Sequence, residues 1–255
     1  MMFYERPVPL DRDSHARLRV REAGFGHAAR TNSSPLLGAE IVPASRSFPI
    51  LFVDIGGGQL FPIALLGLRA GQNLFVDADG GWEDGRHIPA FVRRYPFVLS
   101  GDMTVCIDEH FPGFSTESGE PLFLPDGTNT PLLDHAISFL QGFHEAVAQT
   151  DAFVARLNDL NLLMPVTLNV VPEAGEPYRL DGLRMVDGER LGALDGAAVL
   201  RLFRAGEMAW IHAHLASLAG IEDLNRRSNA RARVAPTPTD TLTEAAAATD
   251  AAKED

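Results

Sequence analysis

The chain has 255 residues, of which 45% are hydrophobic and 22% are charged, and its formal net charge at pH 7 is −12. The length suits one sizeable domain or two small ones, and the composition is ordinary for a globular protein. The excess of negative charge argues against nucleic acid as a partner, because neutralising phosphates requires a surplus of Lys and Arg on one face. It disfavours anionic lipid surfaces for the same reason.

Lysine and cysteine usage exclude several classes of enzyme and metal site. Lys253 is the only lysine among the 22 basic residues, and the others are arginines. Schiff-base and pyridoxal-phosphate enzymes, Walker-type nucleotide sites and protein kinases all need a lysine amine within the fold. The only cysteine, Cys106, excludes an intramolecular disulfide and any multi-cysteine metal site. The sequence therefore predicts neither a cofactor nor a metal.

No segment has the pattern of a signal peptide or of a membrane span. The first 20 residues carry charges of both signs and contain no apolar core. The longest apolar runs, such as that at 60–68, are too short to cross a bilayer. We therefore expect a cytoplasmic protein by default.

The predicted strands follow an N-terminal arm over residues 1–46, which is rich in Arg, Pro and Ser and is expected to be extended with loops. Apolar runs bounded by Gly, Pro and Asp are the pattern that predicts strands and hairpins. Such runs predict strands at 48–55, 60–68, 73–78, two within 97–108 around Gly101–Asp102, 164–171 and 176–187.

The clearest predicted helix covers 131–160, with Thr130 as N-cap and Pro131 in the first helical position. A short helix is predicted within 87–95, starting at Pro89 and closed by Pro96. Further helices are predicted at 195–206, ending on Gly206, and at 207–220. These elements predict an α+β fold in one domain over 1–228. A mainly antiparallel central sheet would be covered by the long middle helix and the C-terminal helices. Residues 229–255 are rich in Ala, Thr and Pro and predict a disordered tail.

The stretch DADGG at 77–81 resembles either a calcium loop or a tight turn. If Asp77 holds the first position of an EF-hand loop, Asp79 fits the third. The twelfth position, however, would be Ile88 instead of a bidentate Glu. Asp and Gly in this order are typical of a hairpin turn, so the sequence favours the turn.

Two groups of residues remain as candidate sites. Cys106 and His110 could act as thiolate and base if the chain turns sharply at 107–109. The alternative is that Cys106 is a small buried apolar residue.

Arg93 and Arg94 beside Tyr95 could bind a carboxylate or phosphate through bidentate hydrogen bonds. The alternative for these arginines is a set of ion pairs with the acidic residues of the preceding stretch. Those acidic residues are Asp77, Asp79, Glu83 and Asp84.

The chain resembles the bacterial SapC family. The matching segments are YERPVPLDRDSHARLRV at 4–20, TNSSPLLGAE at 31–40, FPILFVDIGGGQLFPIALLGLRAGQNLFVDADGGW at 48–82, IPAFVRRYPFVL at 88–99, PLFLPDGTNTPLL at 121–133 and HLASL at 214–218. The resemblance implies no agreed activity, no established cofactor and no catalytic residue. It does imply an association with cell-surface layers and, in several proteobacteria, with outer-membrane receptor and flavin-halogenase-like genes.

From this resemblance we expect a non-enzymatic accessory or binding protein of a bacterial cell-surface or nutrient-uptake system, with a protein partner or a small anionic ligand. The alternative is a cytoplasmic enzyme or enzyme partner acting on a peptide or small anionic molecule. The composition of residues 229–255 also suits an uncleaved C-terminal secretion signal, and hence export by a non-classical route.

Overall fold

The computed structural model describes residues 2–173 and 175–233 of the chain. The strands in these residues are β1 (Pro7–Pro9), β2 (Arg19–Val20), β3 (Ser33–Pro35), β4 (Ile50–Asp54), β5 (Leu60–Leu65), β6 (Phe97–Leu99), β7 (Val105–Asp108), β8 (Phe114–Ser115), β9 (Glu120–Pro121), β10 (Leu163–Val170) and β11 (Tyr178–Val186). The helices are α1 (Ile41–Ala44), α2 (Ala90–Arg93), α3 (Pro131–Asp159), α4 (Gly188–Gly192), α5 (Gly196–Arg204), α6 (Glu207–Ser217) and α7 (Gly220–Ala232).

The largest sheet is antiparallel and has the strand order β10-β11-β4-β5-β3. Its central hairpin joins β4 and β5 with Ile50 opposite Ala64 and Asp54 opposite Leu60. The connecting turn contains Gly56–Gly58, and all three glycines have positive φ, a conformation that other residues rarely adopt. This sheet, with the helices that cover it, confirms the predicted α+β fold.

Two smaller antiparallel sheets, β1-β7-β6 and β8-β2-β9, stand beside the large one. The N-terminal segment contributes a strand to every sheet: β1 pairs with β7, β2 with β8 and β9, and β3 with β5. The first 46 residues are therefore built into the sheets, a long-range pairing that the sequence pattern does not indicate.

Helix α3 connects two hydrophobic cores. Its start is as predicted, because the Thr130 hydroxyl accepts a hydrogen bond from the N–H of Leu133 and Pro131 is the first helical residue. Leu140 lies in the smaller core, with residues of β6, β7 and the segment before α3. Phe153 and Leu157 lie in the main core, between the five-stranded sheet and the C-terminal helices.

One short predicted element, the strand at 73–78, is wrong. In 73–78 only Val76 is bridged, to Trp82, and the segment is not a strand. The Asn73 side chain accepts the N–H of Phe75 at 2.9 Å, which removes that donor from any strand ladder. The short helix expected to start at Pro89 is present as the single turn α2, with Pro89 as its N-cap. It ends before Pro96, because proline disfavours helical geometry in the residue before it.

The C-terminal helices differ from the prediction at their end. Gly206, with φ of 76°, ends α5 as expected. Helix α7 was not predicted, and it runs to Ala232, past the tail boundary proposed at 229. The predicted disorder and the export signal of 234–255 fall outside the described residues. None of the helices that the structure describes has both the length and the hydropathy needed to span a bilayer.

Candidate functional site

The DADGG stretch is a turn, as the sequence favoured. The Asp77 carboxylate accepts hydrogen bonds from the backbone N–H groups of Asp79 and Gly81 at 2.9 and 2.7 Å. Gly80 has φ of 83°, which a residue with a side chain would adopt only with strain. Across residues 2–173 and 175–233, no group of three or more His, Cys, Asp or Glu side chains is placed to hold a metal ion.

The segment from α2 to β6 carries the arginine pair, and Glu40 fixes its position. Glu40 is 7% exposed. Its Oε1 accepts the N–H of Ala90, the first residue of α2, at 2.7 Å, and lies 2.8 Å from Nε2 of His87. Its Oε2 accepts the N–H of Leu37. A buried carboxylate with three donors orients the turn that precedes Arg93 and Arg94.

Arg94 is buried without a carboxylate partner. Its side chain is 5% exposed, and the guanidinium carbon lies 4.1 Å from the ring centroid of Phe91, 4.8 Å from that of Phe143 and 5.8 Å from that of Tyr4. Its Nε has no hydrogen-bond partner, and none of the described Asp or Glu residues pairs with it. Burial lowers the pKa of Arg94, while the Tyr4 hydroxyl opposes this shift. The group nevertheless stays charged at neutral pH.

Arg93 is half exposed and is already engaged. Its Nε donates to the carbonyl of Ile88 at 3.0 Å, its Nη2 lies 3.9 Å from Glu40 Oε1, and its guanidinium carbon lies 5.1 Å from the ring centroid of Phe139. The charge of Arg93 is therefore partly balanced by Glu40, whereas the charge of Arg94 is not.

The predicted ion pairs between these arginines and the acidic stretch do not form. Glu83 instead accepts hydrogen bonds from Arg86 and Arg227, which lower the pKa of its carboxyl group.

An open cavity of about 790 Å³ borders this segment. Residues 92–97 line it together with 20–25, 119–120 and the first half of α3. The arginine pair, Tyr95 and Phe139 all contribute to the lining. The volume lies within the range of pockets that hold small organic molecules, and the lining combines aromatic rings with a buried cation.

Tyr95 links the cavity wall to a buried carboxylate. Its ring stacks on His27 with centroids 4.3 Å apart, and its hydroxyl donates to Asp108 at 3.1 Å. Burial and the charge of Asp108 raise the pKa of Tyr95. Burial would raise the pKa of Asp108, but hydrogen bonds from three backbone N–H groups and Tyr95 lower it. Burial lowers the pKa of His27 to about 4, so its imidazole is neutral at pH 7.

Cys106 and His110 have separate partners. Cys106 is 8% exposed, packs with Tyr4 and Val98, and its Sγ lies 3.9 Å from the carbonyl of Thr104. Burial raises the pKa of this thiol, which opposes thiolate formation. His110 is exposed, and its Nδ1 lies 3.0 Å from a Glu5 carboxylate oxygen.

Three residues at or near the cavity were not identified as candidates from the sequence. His27 lies in a short 3-10 helix, Gly26–Ala28, and stacks on Tyr95 from 68 positions away, so no local pattern points to it. Asp108 was predicted only as the last residue of a strand. Phe139 carried a usable signal, because it is a large aromatic residue outside the apolar stripe of the predicted helix.

The fold and the cavity define an α+β protein with a small-molecule-sized pocket beside a buried, unpaired arginine. The family model described as SapC matches residues 10–224, which include Arg93, Arg94, Tyr95, Cys106 and His110. The chain belongs to the SapC family. No curated protein and no solved structure matches it.

Proposed function

We propose that the protein is a non-enzymatic binding or accessory protein of a bacterial cell-surface or nutrient-uptake system, and that it holds a small anionic ligand in the cavity beside Arg94. The observation that supports this role is the burial of the Arg94 guanidinium with no carboxylate partner. A buried cation without a counter-ion costs stability. An anionic ligand would supply the missing charge.

The enzyme alternative has less support. Its candidate chemistry needs Cys106 as a thiolate close to His110. The raised pKa of Cys106 keeps the thiol protonated near neutral pH, and His110 is engaged by Glu5. The Tyr95 hydroxyl donates a hydrogen bond to Asp108, and its raised pKa keeps it protonated at neutral pH, so it cannot accept a proton as a general base.

Replacing Arg94 with Met tests the binding role. Met has a similar length but no charge, so the ligand-free variant should be as stable as the wild type or more stable by about 1–2 kcal/mol. Urea denaturation without added ligand measures this difference. Arg231→Met on the exposed face of α7 is the matched control and should change little. If Arg94→Met were destabilised by several kcal/mol, Arg94 would be a structural residue and the proposal would fail.

The cell-surface part of the proposal requires the protein to leave the cytoplasm, and the tail at 229–255 is the candidate signal. Because α7 runs to Ala232, a truncation should keep residues 1–233 intact. We expect full-length protein in the outer-membrane or medium fraction of the host, and the truncated form in the cytosol. Immunoblots of the fractions measure this, with a cytosolic enzyme as lysis control. If both forms were found in the cytosol, the proposal that the tail is an export signal would be wrong.

A further inference from the structure

We infer that the ligand of the cavity is a monocarboxylate that also carries an aromatic ring, an inference that rests on the proposed function. The cavity has two chemically different parts. One is the Arg94 guanidinium, and the other is a wall of aromatic side chains. Each part selects a different portion of the ligand.

The anionic group is best matched by a carboxylate. The rings of Phe91 and Phe143 lie close to the Arg94 guanidinium, and cation–π contacts of this kind occupy the faces of the group. The N–H groups along its edge that do not bond to the Tyr4 hydroxyl, Nε among them, are then the donors left for a ligand. A guanidinium edge and a planar carboxylate form two parallel hydrogen bonds, a geometry that also gives specificity.

The charge balance favours one negative charge. Arg94 supplies one unbalanced positive charge, since Arg93 is already offset by Glu40 at 3.9 Å. Arg21, Glu22 and Glu120 also line the cavity and are exposed, and together they carry one positive and two negative formal charges. Their net negative charge would repel a second anionic group on the ligand. A phosphate dianion or a dicarboxylate would therefore leave negative charge uncompensated.

The apolar portion of the ligand is best matched by a ring. Tyr95, Phe97, Phe111 and Phe139 all line the cavity. Tyr95 and Phe111 pack edge to face with centroids 5.4 Å apart, which holds both rings in fixed orientations. Preformed aromatic walls favour an aromatic guest over a flexible chain, because ring pairs add attraction beyond the area that they bury.

Calorimetric titration of the full chain with four probes tests the inference: phenylacetate, its neutral amide 2-phenylacetamide, hexanoate and phenyl phosphate. Phenylacetate should bind tightest. Loss of the charge in the amide should weaken binding by about tenfold or more. Exchange of the ring for the hexanoate chain should weaken it by about 2- to 10-fold.

Variants locate the binding. Arg94→Met should weaken phenylacetate binding by about tenfold or more, and Phe139→Leu should weaken it by about 2- to 10-fold. Arg231→Met should leave it unchanged. The tripeptide Ala-Ala-Phe and its C-terminal amide distinguish two sources of the same chemistry. If the free tripeptide binds more tightly than phenylacetate and its amide does not bind, the carboxylate is a peptide end. Otherwise it belongs to a free acid.

Two results would overturn the inference. Phenyl phosphate or hexanoate binding as tightly as phenylacetate would show that the assigned head group or ring is wrong, although Arg94-dependent anion binding would stand. Absence of binding by all four probes would also reject it. The proposed function is decided separately, by the stability of ligand-free Arg94→Met.

Discussion

Replacing Asp108 with Ala is expected to lower the free energy of unfolding by about 2–4 kcal/mol. Asp108 is 0% exposed, and its carboxylate accepts the N–H groups of Glu5 and Arg6 at 3.0 Å, that of His110 at 3.2 Å, and the Tyr95 hydroxyl at 3.1 Å. Alanine leaves these donors without an acceptor. The N-terminal segment would also lose a link to the segment that carries Tyr95.

The loss should depend on pH in a defined direction. The pKa of Asp108 in the folded protein is lowered by its hydrogen bonds, which outweigh the effect of burial. Its stabilisation is therefore present above the unfolded pKa, about 4, and disappears as the pH falls through the lower folded pKa. Urea denaturation of wild type and Asp108→Ala across this pH range should show that their free energies of unfolding converge as the pH falls.

Asp108→Asn is the matched control for this prediction. Asparagine keeps one acceptor oxygen and nearly the same shape, so it should lose less stability than alanine. Because it does not ionise, the acid-dependent part of the stabilisation should disappear. Unfolding of Asp108→Ala at the same urea concentration as the wild type at neutral pH would show that the donors find other partners, and would contradict the prediction.

The elements that the sequence predicted correctly have strong local signals. The β4–β5 hairpin is marked by two apolar runs around Gly56–Gly58, whose positive φ angles need glycine. Helix α3 is marked by the Thr130 cap, Pro131 and an apolar stripe at helical spacing. Residues close in sequence decide both elements, so a single sequence is sufficient to find them.

The elements that the sequence missed depend on contacts between distant residues. Helix α7 has a polar sequence with only Leu224 and Ser228 buried. Its Arg227 pairs with Glu83, 144 positions away, and tertiary contacts of this kind override weak local preference.

The cavity shows the same division between local and distant signals. The run Arg93–Tyr95 was visible as a candidate, and all three residues line the cavity. The isolation of Arg94 from every described carboxylate depends on the tertiary fold. The stacking of His27 on Tyr95 does so too. The sequence therefore identified the cationic residues, but it did not show that Arg94 lacks a carboxylate partner, which is the property that makes it a candidate for ligand binding.

Replacing Phe153 with Ala is expected to give the largest loss of stability, about 3–5 kcal/mol. Phe153 is 0% exposed and packs edge to face against Trp210 with centroids 5.1 Å apart, and its centroid lies 6.5 Å from that of Phe52. It therefore joins α3 to α6 and to β4. Its removal leaves a cavity that these elements, fixed by their own contacts, can fill only in part.

Phe203→Ala is the matched control, because the same atoms are removed from a ring that is 70% exposed on α5. Its loss should stay within about 0.5 kcal/mol. Urea denaturation of both variants measures the difference in the free energy of unfolding. The slope of this free energy against urea concentration should be the same as in the wild type. A loss for Phe153→Ala as small as that expected for Phe203→Ala would mean that the contacts of Phe153 are loose. That result would contradict the assignment of the main core to the interface of α3, α6 and the large sheet.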